Sequence, residues 1–142
     1  MHIEVDNSYR FIRNAEQQEK MIRLRDLKIF PDYSKIMMVS AIIGFKNNAY
    51  INIENKASDR VQLQFFQPAD LDIIDLIAYA HAKDQKILNS IEKYHIFESY
   101  VNGGFPILYD RLGVTDETTI EKRKTILIQY YNMVMSPKGF EL

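Results

Sequence analysis

The stretch Phe97–Leu112, FESYVNGGFPILYDRL, decides the fold of this 142-residue chain. A helical pattern leads into Gly103-Gly104, and an apolar segment restarts directly behind Pro106. Glycine favours the left-handed turn that ends many helices, and proline favours the first turn of the next one. The pattern therefore predicts a helix over residues 87–102 that ends at Gly103, followed by a new short helix from Pro106.

A second apolar helix meets a glycine at Ile42–Lys46, IIGFK. Asp32 is a suitable N-cap for this helix, and residues 33–43 are apolar on most sides, as in helices buried in a core or an interface. Gly44 suits the position after the last helical residue, where φ is positive. The predicted structural turns between helices are Gly44, Gly103, Gly104 and Pro106.

Short strands are predicted at the N-terminus and in the middle of the chain. Residues 2–6 alternate between polar and apolar side chains, which predicts a short strand with one buried face. Residues 50–54 and 61–65 alternate in the same way on either side of a polar loop, which predicts a β-hairpin. A two-stranded ribbon is marginal alone, so we expect it to lie on the helices.

Further helices are predicted over residues 8–27, 68–83 and 117–135. The fold class is therefore mainly α: a single-domain helical bundle of about five to six helices with a short β-hairpin and a short N-terminal strand. No linker or internal repeat divides the chain. The predicted domain covers residues 1–142, with a core at 1–112 and a C-terminal helical extension at 113–142.

Bulk composition indicates a globular protein that works in a reducing compartment. Hydrophobic residues make up 46% of the chain and charged residues 26%, which separates it from disordered proteins. The absence of cysteine excludes disulfides, thiolate metal sites and thiol catalysis. No signal peptide and no apolar run of about 20 residues is visible, so we expect a cytoplasmic protein without membrane contact.

The residue patterns of several common enzyme classes are absent from the sequence. None of His2, His81 and His95 has a histidine or glutamate four residues away, as zincin-type metal sites require. The phosphate-binding glycine motifs and the GxSxG nucleophile motif do not occur either. We therefore expect no catalytic residue, no metal site and no cofactor.

Two alternatives to a non-enzymatic binding protein stay open. Asp70, Asp72 and Asp75 cluster at a predicted helix start, where carboxylates complement the helix dipole. Asp72 and Asp75 could instead hold Mg²⁺ in a carboxylate-metal nuclease-like enzyme. The other alternative is a purely structural homo-oligomeric module.

The predicted helix 8–27 carries the densest set of basic side chains in the chain. A net charge of −1 means that any DNA contact has to come from such a local set rather than from the protein as a whole. We expect sequence-independent DNA contacts from this face. The candidate nucleic-acid-binding residues are Arg10, Arg13, Lys20, Arg23 and Arg25.

The second half of the last predicted helix, ILIQYYNMVM at Ile126–Met135, is apolar around most of its circumference. Only one face of a helix can meet the core of a single domain, and large exposed apolar patches usually mark interfaces. The sequence therefore predicts a homodimer or larger assembly. The candidate self-association residues are Ile126, Leu127, Tyr130, Tyr131 and Val134.

Between about Ile22 and Leu112 the chain resembles the Dnd system-associated protein 4 family. Pro106 and residues 117–142 depart from the pattern of that family. A weaker likeness is to DndE-type components, which are described as DNA-binding oligomers. The residues that carry the resemblance are Ile29-Phe30-Pro31, Ser40–Lys46 (SAIIGFK), Asp70–Ala78 (DLDIIDLIA) and Phe97–Gly104 (FESYVNGG), with Ile107-Leu108 after it.

The resemblance implies a genomic setting rather than a reaction. Members of the family are found beside genes for DNA phosphorothioate modification and restriction, and no catalytic residue can be carried over from them. The implied function is a non-enzymatic accessory protein of a bacterial DNA-modification and anti-phage defence system. Together with the self-association predicted from the last helix, the expected partners are a second copy of the chain and other proteins of the defence system, with DNA as a further candidate.

Overall fold

The computed structural model describes residues 2–140, so residue 1 and residues 141–142 of the predicted domain lie outside the described part. The predicted mainly α class is confirmed. The described chain forms five α-helices, several short 3-10 turns and one two-stranded antiparallel sheet. These elements are β1 (Arg10–Phe11), α1 (Gln18–Asp26), α2 (Tyr33–Lys46), β2 (Val61–Gln62), α3 (Pro68–Ala82), α4 (Glu92–Leu112) and α5 (Lys124–Met135).

The centre of the fold is a close crossing of α2 and α4. A β-carbon built on Gly104 would lie 2.5 Å from the backbone nitrogen of Gly44 and would overlap the carbonyl oxygen of Ser40. A β-carbon on Gly44 would in turn overlap the carbonyl oxygen of Tyr100. The two backbones are therefore in direct contact, and neither position has room for a side chain.

The predicted turns at Gly44, Gly103, Gly104 and Pro106 are wrong, because all four residues lie inside helices. α2 continues through Gly44 to Lys46, and α4 runs unbroken from Glu92 to Leu112. Glycine often indicates positive φ, whereas here its missing side chain lets the two helices touch. The separate helix that was predicted to begin at Pro106 is the second half of α4.

Pro106 is tolerated inside α4 because another side chain replaces its missing donor. Proline has no N–H to give to the carbonyl oxygen four residues earlier. That oxygen belongs to Asn102, and it accepts a 3.0 Å hydrogen bond from the side-chain amide of Gln17. Asn14 and Gln17 also donate to the Asn102 side-chain oxygen at 2.8 and 3.0 Å, so Asn102 is held from several directions.

The two strands pair across the chain rather than within a hairpin. Phe11 of β1 faces Val61 of β2 in antiparallel register. The predicted hairpin is therefore wrong, and residues 50–54 form no strand. Their backbone lies against α4 instead, where Ile51 N donates to the carbonyl oxygen of Ser99 at 3.1 Å and Asn102 donates to the Ile51 oxygen at 3.0 Å.

The N-terminal segment is held by a buried ion-pair cluster rather than by a sheet, so the strand predicted over residues 2–6 is wrong. Lys93 is fully buried and lies 3.1 Å from a carboxylate oxygen of Asp75. Lys93 also donates to the carbonyl oxygen of Ile3, while Asp75 accepts from Ile3 N at 3.0 Å and from the His2 ring at 2.9 Å. These contacts bind the segment to α3 and α4.

Three predicted helices begin later than expected, and one of them is α4, which begins at Glu92 rather than at residue 87. The side chain of Asn14 accepts from Glu16 N at 2.8 Å, which caps a 3-10 turn at Ala15–Gln17, and α1 follows from Gln18 rather than from residue 8. At the other end of the chain, α5 begins at Lys124 rather than at residue 117. The helix predicted over residues 68–83 is confirmed as α3.

Candidate functional site

The structure separates the basic residues that were predicted to share one helical face. Arg13 is not on α1, and its side chain has no solvent exposure. Its guanidinium lies 3.2 Å from a carboxylate oxygen of Asp59 and 4.4 Å from the ring centroid of Tyr33. Arg13 therefore acts as a buried cross-link between two loops and a helix, and the prediction of a single basic helix face is wrong.

The other four basic residues differ in how much of their charge faces solvent. Arg10 lies exposed on β1, and Lys20 is exposed on α1 with its ammonium 5.2 Å from the Tyr109 ring centroid. Arg23 donates at 2.8 Å to the carbonyl oxygens of residues 115 and 118, which anchors the connection after α4. Arg25 is exposed and lies 3.2 Å from Asp26. Arg10, Lys20 and Arg25 are thus the members that a phosphate could reach.

The carboxylates at the start of α3 have protein partners. Asp70 is 2.8 Å from the ammonium of Lys35 and accepts from Gln67 N at 3.0 Å, which closes a capping box. Asp75 belongs to the buried cluster with Lys93. No group of three or more histidine, aspartate or glutamate side chains is placed to hold a metal ion within residues 2–140.

Glu98 of α4 is a buried carboxylate with three hydrogen-bond partners. It is 3% exposed and accepts hydrogen bonds from the Tyr9 hydroxyl at 2.8 Å and from Ile12 N at 2.7 Å. Its other oxygen lies 3.1 Å from Nδ1 of His95. Burial raises the pKa of Glu98, although the donated hydrogen bonds act in the opposite direction. Burial and the Glu98 charge also raise the pKa of Tyr9.

His95 is the exposed end of this group. Its side chain is about two-fifths exposed, and the carboxylate behind it orients the ring through Nδ1. Both residues line a small cleft of about 190 Å³ that also contains Asn52, Lys56 and Ser99. A carboxylate-oriented histidine in a polar cleft is an arrangement that can accept or donate a proton.

α5 presents an uncovered apolar surface. Ile126 and Met133 pack against the core, and Tyr130 meets the ring of Phe30 edge-on at 5.1 Å. The opposite side of the helix faces solvent, with Tyr131 62% exposed. The predicted self-association residues therefore divide between two faces. The exposed apolar residues, here called the α5 strip, are Leu127, Ile128, Tyr131, Val134 and Met135.

A second uncovered apolar surface lies between α3 and the 3-10 segment Gln85–Asn89. It is a cleft of about 590 Å³, here called the α3 cleft, and Leu76 at its edge is 66% exposed. Ile91, just beyond it in the sequence, is also exposed. The lining residues are Asp72, Asp75, Leu76, Tyr79, Gln85 and Leu88.

Comparison with known families decides where this chain belongs. The model of the DNA sulphur modification system-associated protein 4 family matches residues 11–137. The chain belongs to this family. The match confirms the resemblance seen in the sequence. It also extends that resemblance, because the matched range includes Pro106 and α5, which were expected to depart from the pattern of the DNA sulphur modification system-associated protein 4 family. No curated protein and no solved structure matches the chain.

Two features of this family member do not follow from the sequence patterns above. His95 and Glu98 are three residues apart and share one helix face, but the metal-site pattern requires a four-residue spacing and therefore does not include them. The α3 cleft could not be predicted from the sequence. Leu76 and Tyr79 belong to a helix with apolar residues on most of its sides, so the apolar periodicity does not distinguish exposed positions from buried ones. None of the helices in residues 2–140 combines the length and the hydrophobicity of a membrane-spanning segment.

Proposed function

We propose that this protein is a non-enzymatic accessory factor of a DNA sulphur modification system and acts by binding proteins. The α5 strip carries the proposal: several large apolar side chains face solvent on one side of a single helix. Exposed apolar patches of this kind mark protein interfaces in soluble proteins. The occupants that we propose are a second copy of the chain and other proteins of the same system, in the cytoplasm.

Sequence-independent DNA contact is the second part of the proposal. Arg10, Lys20 and Arg25 would contact phosphate groups, because their side chains are exposed whereas that of Arg13 is buried. Such contacts supply affinity that falls steeply with salt and carry no base preference. We expect weak binding, since the net charge of the whole chain is −1.

An enzymatic role is the competing function, and the His95–Glu98 pair is the observation that favours it. A carboxylate behind a histidine orients the ring for proton transfer, and the pair opens onto a polar cleft. The carboxylate-metal alternative would instead use Asp72 and Asp75. We favour the binding function because Glu98 also accepts hydrogen bonds from the Tyr9 hydroxyl and from Ile12 N, as expected for a carboxylate that stabilises the fold.

Co-purification from the native host tests the binding function. The full chain with an affinity tag should retain proteins of the DNA sulphur modification system, and Tyr131→Asp on the α5 strip should release them. Phe65→Asp is the matched control, because Phe65 is 58% exposed but lies outside α5. Equal retention of these partner proteins by the parent chain, Tyr131→Asp and Phe65→Asp would contradict the proposal.

A cleavage assay separates the enzymatic alternatives. Plasmid DNA incubated with the protein and Mg²⁺ or Mn²⁺ should stay intact. Cleavage that is lost in Asp72→Ala would support the metal alternative, and cleavage that is lost in His95→Gln would support proton transfer at the His95–Glu98 pair. Either result would overturn the non-enzymatic assignment.

A further inference from the structure

The α5 strip and the α3 cleft are two uncovered apolar surfaces of different shape on one chain. The strip is the convex side of a helix, and the cleft is a concave site of about 590 Å³. Helices that lay an apolar face into an apolar groove form a common class of protein contact. A single contact between the two would cover both surfaces.

A chain cannot bring its own α5 into its own α3 cleft. The cleft lies at the N-terminal end of α4, where Lys93 donates to the carbonyl oxygen of Leu88 at 2.9 Å. The segment after α5 lies elsewhere, because the carbonyl oxygen of Phe140 accepts from Asn47, just after α2, at 3.0 Å and from Arg111, near the C-terminal end of α4, at 3.4 Å. α4 has 21 residues and is therefore about 30 Å long. The contact has to be made between two copies.

We propose that the α5 strip of one copy docks into the α3 cleft of a second copy, in a head-to-tail contact. The inference rests on the self-association in the proposed function and specifies its partner surface. Such a contact joins unlike surfaces, so each copy at the ends of the assembly retains one free strip or one free cleft unless the assembly closes into a ring. A symmetric contact between two α5 helices would leave Leu76 and Tyr79 uncovered.

The charges of the two surfaces are complementary. The charged residues that line the α3 cleft are two carboxylates, Asp72 and Asp75, and Asp75 forms an ion pair with Lys93. α5 contains one charged residue, Lys124, and it is preceded by Glu121, Lys122 and Arg123, so the start of α5 is basic on balance. Lys83 and Lys86 lie near the cleft in sequence but do not line it. The basic start of α5 would therefore lie toward Asp72 when the apolar strip is seated.

Mixing two defective variants tests this geometry. Leu76→Asp places a charge in the α3 cleft and leaves the α5 strip intact. Tyr131→Asp places a charge on the α5 strip and leaves the α3 cleft intact. Both side chains are more than three-fifths exposed, so we expect both variants to keep the circular dichroism spectrum of the parent chain. Phe65→Asp is again the control, because it places the same charge on an exposed apolar residue outside both surfaces.

Light scattering after size exclusion gives the readout as molar mass. The parent chain and the control should form dimers or larger species, and each variant alone should be a monomer. An equimolar mixture of the two variants should form a dimer and nothing larger, because one intact strip meets one intact cleft. Leu76→Ser and Tyr131→Ser replace any aspartate variant whose spectrum changes.

The outcomes separate this inference from the function on which it rests. If Leu76→Asp still forms the parent assembly while Tyr131→Asp does not, α5 pairs with another surface and the head-to-tail contact is wrong. A mixture of the two variants that stays monomeric would also contradict the head-to-tail contact. If the parent chain itself is a monomer at every concentration, self-association fails and this inference fails with it.

Discussion

Gly104 of α4 lies directly against Gly44 of α2: a β-carbon on Gly104 would come within 2.5 Å of the Gly44 backbone nitrogen. The contact sets the distance between the two helices that contribute the most buried residues to the described chain. It also explains why Gly44 and Gly104 occur inside helices, where each costs about 1 kcal/mol relative to alanine. On the same two helices, Ile36, Met37 and Phe97 have no solvent exposure.

Gly104→Ala should lower the free energy of unfolding by about 2 kcal/mol or more, since the new methyl group would overlap backbone atoms that cannot move independently. The loss would occur despite the higher helix propensity of alanine. Urea unfolding followed by circular dichroism measures the change. Gly113→Ala is the control: Gly113 has φ of +74° and open space around it, so we expect only the strain of a left-handed residue, roughly 1 kcal/mol. Equal losses would contradict the close crossing.

Gln17→Ala should destabilise the protein by about 1–3 kcal/mol, because the Asn102 carbonyl oxygen would lose the donor that replaces the absent N–H of Pro106. Pro106→Ala supplies that N–H from the helix itself. In the double variant the effect of Gln17→Ala should therefore be smaller than in the parent chain, and a double-mutant cycle from urea unfolding measures the difference. Strictly additive effects would show that Gln17 does not compensate for the proline.

Burial of Glu98 predicts a pH dependence of stability. Its pKa is raised above the usual 4.5, so the ionised carboxylate is less favourable in the folded chain than in the unfolded one. The linked stabilisation is complete below the unfolded pKa and is lost as pH rises through the folded pKa. Between about pH 4 and about pH 7, the urea midpoint of the parent chain should therefore fall relative to that of Glu98→Gln. A parent midpoint that stays constant or rises relative to that of Glu98→Gln as the pH increases would contradict the raised pKa.

DNA binding should depend on exposed basic residues and not on Arg13. Changing Arg10, Lys20 and Arg25 together to glutamine should weaken binding and reduce the slope of log affinity against log salt by about 0.9 for each lost phosphate contact. Arg13→Gln should instead lower the free energy of unfolding and leave the salt slope unchanged, because Arg13 is buried against Asp59. Fluorescence anisotropy with a labelled duplex at several salt concentrations distinguishes the two. A reduced slope for Arg13→Gln would contradict the placement.

The sequence predicted the fold class and α3 because those depend on local signals. The apolar periodicity of residues 68–83, Pro68 at the helix start and the acidic first turn all act within a few residues of one another. The N-cap role of Asp32 was predicted for the same reason, and the structure confirms it with a 3.0 Å hydrogen bond from Lys35 N.

The errors occurred where a distant part of the chain decides the local conformation. Gly103 and Pro106 look like a helix end in isolation. In the structure, Ala49 fills the space beside Gly103, and Gln17 donates a hydrogen bond to the carbonyl oxygen that Pro106 cannot bond. Arg13 looks like a surface residue of a helix, but Asp59 lies 46 positions further along the chain and pairs with it. Local sequence patterns contain no information about such partners.

The apolar character of the α5 strip was predicted from the sequence alone, whereas the α3 cleft is visible only in the structure. The largely apolar run Ile126–Met135 is visible directly in the sequence. In the structure, Ile126 is buried and Tyr131 is exposed, so the uncovered apolar residues lie on one face of α5. The cleft depends on how Leu88 of the 3-10 segment lies beside Leu76 and Tyr79 of α3. Two elements together make a concave surface of this kind, and the pattern of one element does not show it.

Sedimentation velocity on the untagged 142-residue chain is the most direct test of the central claim, that this protein acts through an uncovered apolar surface on α5. Runs over a dilution series from high to low micromolar concentration should show a dimer or larger species whose fraction falls on dilution, and Val134→Asp should shift it to the monomer. A parent chain that sediments as a monomer of 16.7 kDa at every concentration would contradict the claim.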